Sequence, residues 1–324
     1  MATQSTAPTT GLPVTGRIVV APHHFPDLER ERALAAELGV ELVAAPDVDG
    51  FRAALADAAV VMITPYATLT AEDFPRMRRC LGVVRYGIGY DNIDVAAARR
   101  AGIPVSIVPD SASEEVASHA VALGLALARR LPAGDAALRS GGWAGTIGYD
   151  TPPLSRLEVG VVGMGRIGTR VARMYTGLGA CVRAHDPFVE PTDVASITLE
   201  ALLEGSDVVS LHLPLGDATR GLISAAALGR MRRGAIVVNV SRGGLVDEAA
   251  LAAALASGQL AGAGLDTFSV EPLPADHPLR DAPNTILTPH ISWRSDQSTG
   301  ALQRGAVERA RRVLTGQPLI DVVS

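Results

Sequence analysis

Between Gly16 and Pro109, short β-branched runs (RIVVAP, VELVAAP, AVVMITP, GVVRYG and PVSIVP) alternate with stretches rich in Ala, Leu and Arg. Strand-like runs alternating with helical ones predict βαβ units and a parallel sheet. The stretch SEEVASHAVALGLALARRL then predicts one helix over about 113–131, opening on a capping-box-like Ser/Glu spacing and closing on Arg-Arg before Pro132. Its apolar breadth predicts burial on more than one side, as at a domain or subunit interface. A second alternating series follows, with LEVGVVG, CVRAHD, DVVSLHLP, AIVVNVS, LAGAGLDT and TILTPH as strands. Each is short and apolar, as parallel strands covered on both faces should be. The segment DQSTGALQRGAVERARRVL predicts a last amphipathic helix, and with no third sheet to join it is expected to pack back on the first series.

The length of 324 residues supports two domains, because one hydrophobic core seldom organises so long a chain. The net charge of −5 argues against a nucleic-acid or acidic-membrane partner held by a general basic field. No apolar run reaches membrane-spanning length. Two cysteines, Cys80 and Cys181, stand far apart without metal-site spacing, so neither a disulfide framework nor a metal site is expected and the cytoplasm fits. All 29 basic residues are arginine, which excludes Schiff-base chemistry and a P-loop lysine. Residues 1–15, rich in Ser, Thr and Pro, are expected to form a flexible tail rather than a signal peptide.

The second series opens on GVVGMGRIGTRVARM, in which Gly163, Gly165 and Gly168 form GxGxxG between a strand and a helix. Gly163 permits the tight turn, Gly165 lets backbone N–H groups approach a pyrophosphate, and Gly168 lets the helix pack closely on the sheet. The next strand ends in Asp186, eighteen residues past Gly168, where a carboxylate can accept hydrogen bonds from ribose hydroxyls. Pro187, Phe188 and Val189 follow, with no nearby arginine to hold a 2′-phosphate, so NAD is expected and NADP disfavoured.

Polar residues also stand at or just after the ends of later strands: Arg242, Asp266, Glu271 and His290. Strand ends of this kind face the ligand crevice of an open α/β sheet. Reduction of a 2-keto acid needs a cation for the carboxylate, a polariser for the ketone and a proton donor beside the hydride path. Arginine suits the first two tasks, because its planar fork binds a carboxylate bidentately and keeps its charge. Histidine suits the third, with a neighbouring glutamate to hold its tautomer and keep it protonated to higher pH. Taken alone, a histidine placed as His290 is in ILTPHISW is more often a core residue following a buried strand.

Together VRYGIGYDNID, GVVGMGRIG, DVVSLHLPLGDATRGLI, VNVSRGGLVDEAALAAAL, AGLDTFSVEPLP and NTILTPHISW resemble the NAD-dependent D-isomer-specific 2-hydroxyacid dehydrogenase family, in order and over nearly the whole chain. The resemblance implies an α/β fold of two Rossmann-like domains with parallel sheets, flavodoxin-like plus dinucleotide-binding, and an active site in the cleft between them. It puts a substrate domain at 16–109 plus 295–324 and an NAD-binding domain at 110–294. Arg242, Glu271 and His290 match the family's catalytic residues, and Asp266 matches a residue near the nicotinamide carboxamide. Arg166, Ile167, His212, Pro214, Thr219, Val240 and Ser241 are implied as further cofactor contacts. Gly87, Ile88 and Gly89 lie where the family offers backbone N–H groups to the substrate carboxylate, with Arg85, Tyr86 and Tyr66 as further pocket residues. Trp293 is similar to a pocket tryptophan of the C-terminal-binding-protein branch, which favours an apolar keto-acid side chain.

Phosphoglycerate dehydrogenases carry arginines where this chain has Thr64 and Tyr66, which disfavours a phosphorylated substrate, with Arg294 as an alternative cation for one, and formate dehydrogenases place glutamine where it has Glu271. The expected partner is a small 2-hydroxy or 2-keto acid, and the resemblance implies a homodimer. A dinucleotide-sensing dimeric scaffold with little turnover is the alternative.

Overall fold

The computed structural model describes residues 16–144 and 151–323, so the expected tail at 1–15 lies outside the described residues. These fall into two compact units, one of 16–111 with 295–323 and one of 112–294. The first unit begins with β1 (Arg17–Val20), α1 (Glu29–Leu38), β2 (Glu41–Ala44), α2 (Val48–Ala54), β3 (Ala58–Ile63), β4 (Gly82–Arg85), α3 (Val95–Arg100) and β5 (Val105–Ile107). Its strands pair in parallel in the order β2-β1-β3-β4-β5. That is the flavodoxin-like order, with its switch point between β1 and β3. All six residues of β3 are buried, as a central strand covered on both faces requires. Two aspartates start helices by accepting N–H bonds, Asp47 from Gly50 at 2.7 Å and Asp94 from Ala97 at 2.8 Å.

The second unit holds α4 (Ser113–Ala128), α5 (Leu131–Arg139), β6 (Glu158–Val162), α6 (Arg166–Gly177), β7 (Cys181–His185), β8 (Ala195–Ser196), α7 (Leu199–Gly205) and β9 (Val208–Leu211). It continues with α8 (Ala225–Arg230), β10 (Ala235–Asn239), α9 (Glu248–Ala256), β11 (Leu260–Leu265) and β12 (Thr285–Leu287). The seven strands are parallel in the order β12-β11-β10-β9-β6-β7-β8. This is the doubly wound order of dinucleotide-binding folds, extended by one strand, and its direction reverses between β6 and β9. The chain then returns to the first unit as α10 (Ser298–Leu314) and β13 (Val322–Val323), which pairs antiparallel with β5. Helix α10 packs so closely on β4 that a Cβ on Gly82 would lie 2.9 Å from Val313 Cγ2.

The structure differs from the sequence reading in the helices around Pro132 and at the last strand of the second sheet. The helix expected over 113–131 stops at Ala128; Arg130 turns left-handed (φ 53°) and Pro132 lies in the first turn of a separate helix, α5. Pro is accommodated there because the first turn has no intrahelical acceptor for its missing N–H. Helix α4 has Ala112 as its N-cap, so the residue at that position brings no side-chain cap bond. As its apolar breadth predicts, it is buried on more than one side: Leu123 and Leu127 sit over Gly264 and Gly262, and Gly124 faces Tyr175 of α6. Strand β12 lies at the sheet edge and is half-buried rather than buried. Helix α5 buries none of its side chains, leaving Leu131 and Leu138 exposed.

Among the described residues, no helix is long and apolar enough to cross a membrane and no cluster of His, Cys, Asp or Glu could hold a metal. Both cysteines are free.

Candidate active site

The glycine loop occupies the switch point of the second unit. Gly163 has φ 92°, in the left-handed region, and a Cβ there would meet His212 O at 2.4 Å. A Cβ on Gly168 would meet Gly163 O at 1.9 Å, so the first turn of α6 lies directly on the loop. Around Gly165, the N-cap of α6, a Cβ would meet nothing within 4 Å. A tight, glycine-only turn thus presents a helix N-terminus, with Arg166 and Ile167 as its first residues, to open space. Such a terminus attracts anions through its free N–H groups and dipole. Asp186, just past β7, accepts from Met164 N at 2.7 Å, Phe188 N at 2.8 Å and Val189 N at 3.1 Å. A carboxylate has about four acceptor positions, so three amides leave capacity for a hydroxyl.

The loops after β9 and β10 flank this turn. His212 is buried, bonded through Nε2 to Ser210 Oγ at 2.7 Å, and its Nδ1 has no partner. Burial lowers its pKa to about 3, so the ring is neutral at ordinary pH. Thr219 Oγ1 donates to Pro214 O and accepts from Gly216 N, knitting the turn after β9. Val240 is buried, and Ser241 Oγ donates to Leu211 O, joining the ends of β10 and β9.

Glu271 and His290, distant in sequence, pair in this unit, and the charge of Arg242 acts on the same carboxylate. His290 Nδ1 donates to Glu271 Oε2 at 2.7 Å, and Glu271 Oε1 accepts from Phe268 N at 3.0 Å. Burial raises the Glu271 pKa, but the bond and charge of His290, the Phe268 amide and the Arg242 charge together outweigh it and hold the carboxyl below its ordinary value. Arg242 follows β10, where Asn239 Nδ2 donates to its carbonyl at 2.8 Å. The next residue, Gly243, brings this loop against the one carrying Glu271: a Cβ on it would lie 1.9 Å from Phe268 C. Backbone contact without a side chain between is what only glycine allows.

His290 itself has φ 53°, an uncommon conformation for a side chain with a Cβ, costing of order 1–3 kcal/mol. Asp266 holds it there: its carbonyl accepts from His290 N at 2.8 Å, and its carboxylate accepts from Ile291 N at 3.0 Å and Ser292 N at 2.9 Å. The resemblance put Asp266 near the carboxamide; in the structure it is fully enclosed and its oxygens serve this loop and Thr288. Trp293 Nε1 donates to His290 O at 3.0 Å, a further tie on the same turn. Sequence reasoning missed His119 on α4, whose Nε2 lies 3.0 Å from Thr288 Oγ1. No local pattern distinguishes it from a core histidine, because its partner is 169 residues away.

The first unit carries the other expected residues. Gly87 (φ 114°), Ile88 and Gly89 form an accessible turn after β4, and a Cβ on Gly87 would press on Arg85 Nη1 at 2.7 Å. Arg85 is buried beneath that turn. Tyr86 requires a correction: it is 2% exposed and its hydroxyl donates to Glu31 Oε1 at 2.8 Å, so its side chain belongs to the core of this unit and not to a pocket wall. A buried phenol needs a partner, and Glu31 supplies it. Tyr66 is half-exposed after β3, edge-on to His24 with ring centroids 4.5 Å apart.

Residues 121–292 match the family model described as D-isomer specific 2-hydroxyacid dehydrogenase, NAD binding domain. The chain is 38% identical over 297 residues to a D-3-phosphoglycerate dehydrogenase of Mycobacterium bovis, covering 90% of this chain and 56% of that protein. It thus spans little more than half the length of the mycobacterial relatives it matches. A glyoxylate reductase of Korarchaeum cryptofilum is 40% identical over 263 residues, 78% of each chain. Among solved structures, a D-lactate dehydrogenase from Aquifex aeolicus complexed with NAD and lactic acid superposes with TM-score 0.85 at 28% identity, covering 92% of this chain and 96% of that one. The chain belongs to the D-isomer specific 2-hydroxyacid dehydrogenase family.

Proposed function

We propose that this chain is an NAD-dependent oxidoreductase that interconverts D-2-hydroxy acids and 2-keto acids. The observation that carries the reading is the 2.7 Å bond between Glu271 and His290, with the charge of Arg242 acting on the same carboxylate, in the unit that holds the glycine loop. That loop fits a dinucleotide: it has no room for a Cβ at Gly163 or Gly168, open space at Gly165, and a carboxylate with spare acceptor capacity at Asp186. Gly163, Gly165, Arg166, Ile167, Gly168 and Asp186 would hold the adenosine and pyrophosphate, with His212, Pro214, Thr219, Val240 and Ser241 lining the way to the nicotinamide. When bound, NADH supplies the hydride for ketone reduction.

The residues of the chain supply the rest. Arg242 binds the substrate carboxylate and polarises its ketone with a charge it cannot lose. His290 has its Nδ1–H committed to Glu271, so Nε2 is the nitrogen that gives a proton to the ketone oxygen and takes it back in the oxidation direction. Glu271 fixes that tautomer and stabilises the imidazolium. The Gly87–Gly89 turn and Tyr66 in the first unit, and Trp293 in the second, stand at positions where the resemblance implies substrate contacts. The loop after β3, TPYATLT, contains no arginine, which favours an unphosphorylated substrate.

NADH oxidation with a panel of 2-keto acids tests the reading. Turnover of unphosphorylated members is expected; tight NADH binding with no turnover on any of them would favour the sensing scaffold instead. Cofactor choice is tested separately by titration. The Asp186 carboxylate would face the 2′-phosphate as a like charge, so NADPH is expected to bind at least about tenfold more weakly than NADH. Equal affinities would contradict that role for Asp186.

A further inference from the structure

We propose that His119 is a positioning residue for the proton-donor loop, acting as an obligatory Nε2–H donor at the head of a chain that runs through Thr288 to Asp266. The inference rests on the acid/base reading of His290 given above. Its geometry lies within the second unit. Thr288, one residue past β12, donates its hydroxyl to Asp266 Oδ1 at 2.5 Å. His119 Nε2 stands 3.0 Å from the same Thr288 oxygen and 3.8 Å from Asp266 Oδ1.

Counting hydrogens fixes the direction of the chain. Asp266 meets three donors, Thr288 Oγ1, Ile291 N and Ser292 N, so its carboxylate acts only as an acceptor. A threonine hydroxyl has one hydrogen, and here it points to Asp266. Toward His119 the oxygen therefore offers a lone pair, and Nε2 must carry the proton. His119 donates to Thr288, and Thr288 donates to Asp266.

Asp266 is what this chain holds in place, and Asp266 in turn holds His290, Ile291 and Ser292 by their amides. The His290 backbone is left-handed, so it keeps its position only while these bonds over-determine it. Without the His119 donor, the Thr288 hydroxyl is free to turn away from Asp266, and the imidazole of His290 loses definition. Packing does not demand a histidine at this position. The buried face of α4 is built from Ala117, Ala120, Val121, Leu123, Gly124 and Leu127, whereas the His119 side chain is 25% exposed.

The test uses the full chain, with 15N-labelled histidine spectra and kinetics on wild type, His119→Leu and His119→Gln. Expected are a wild-type His119 protonated at Nε2, displaced His290 resonances in His119→Leu, and a roughly tenfold lower kcat for that variant with NADH affinity unchanged. His119→Gln, whose amide can reach Thr288 as a donor, should recover most of the loss. A neutral His119 protonated at Nδ1 would overturn the proposal. So would a His119→Leu variant with wild-type kcat and unmoved His290 resonances, or a His119→Gln variant no better than leucine. If the wild type reduces no keto acid, the reading of function fails, while the tautomer and the His290 resonances still decide for or against the chain.

Discussion

Replacing His290 with alanine should lower kcat for 2-keto acid reduction by about 10²- to 10⁴-fold, the range typical of a general acid, while NADH affinity stays within about twofold. The separation follows from where the side chain sits. His290 is fixed by Glu271 and by the backbone carbonyl of Asp266, and it has no bond to the glycine loop that would hold the cofactor. Stopped-flow absorbance of NADH gives the rate, and fluorescence titration gives the affinity. Glu271→Gln should show the same division with a smaller loss.

The lowered pKa of Glu271 also has a sign for stability. A carboxyl whose folded pKa lies below its unfolded one adds stability that is fully present above the unfolded value and is lost as pH falls through the folded one. The pairing with His290 is therefore intact at neutral pH and dissolves in acid.

The second large effect is expected at Gly243, a residue without chemistry of its own. An alanine methyl there would have to share space with Phe268 C, Ser269 N and Phe268 Cα at 1.9, 2.1 and 2.4 Å. These are backbone atoms, so no side chain can swing aside, and overpacking of this kind costs about 1–3 kcal/mol or more. Relief requires the Arg242 loop to part from the Glu271 loop, which separates the guanidinium from the carboxylate it influences. Gly243→Ala should lower Tm and reduce kcat/KM by at least about tenfold. Gly229→Ala, on α8 with nothing within 4 Å of the new methyl, is the control and should leave kcat/KM unchanged. A Gly243→Ala variant matching that control would show that the close approach has no role.

Much of this was legible in the sequence because it is local. The expected strands from RIVV to TIL all form, since β-branched runs flanked by Pro, Gly and helical stretches carry their own conformational preference. The glycine loop was legible for the same reason: spacing alone states which residues must lack a Cβ. Missing were features decided by distant partners. Tyr86 turns inward because Glu31, 55 residues earlier, offers it a buried acceptor, and nothing around Tyr86 announces that. His119 depends on Thr288 in the same way. Strands β8 and β13, two residues each, are too short to leave a pattern. At the break between α4 and α5 the local signal is ambiguous, because a proline can follow the end of one helix or, as Pro132 does, stand in the first turn of the next.

In the proposed mechanism, Glu271 and His290 work as one proton-carrying unit, with the carboxylate acting only through the imidazole. A double-mutant cycle measures this directly, using single-turnover reduction of a 2-keto acid by NADH in Glu271→Gln, His290→Ala and the double variant. The double variant is predicted to be no slower than His290→Ala alone, within about twofold. Losses that multiply, each variant adding its full effect to the other, would contradict the shared unit and assign Glu271 a separate task.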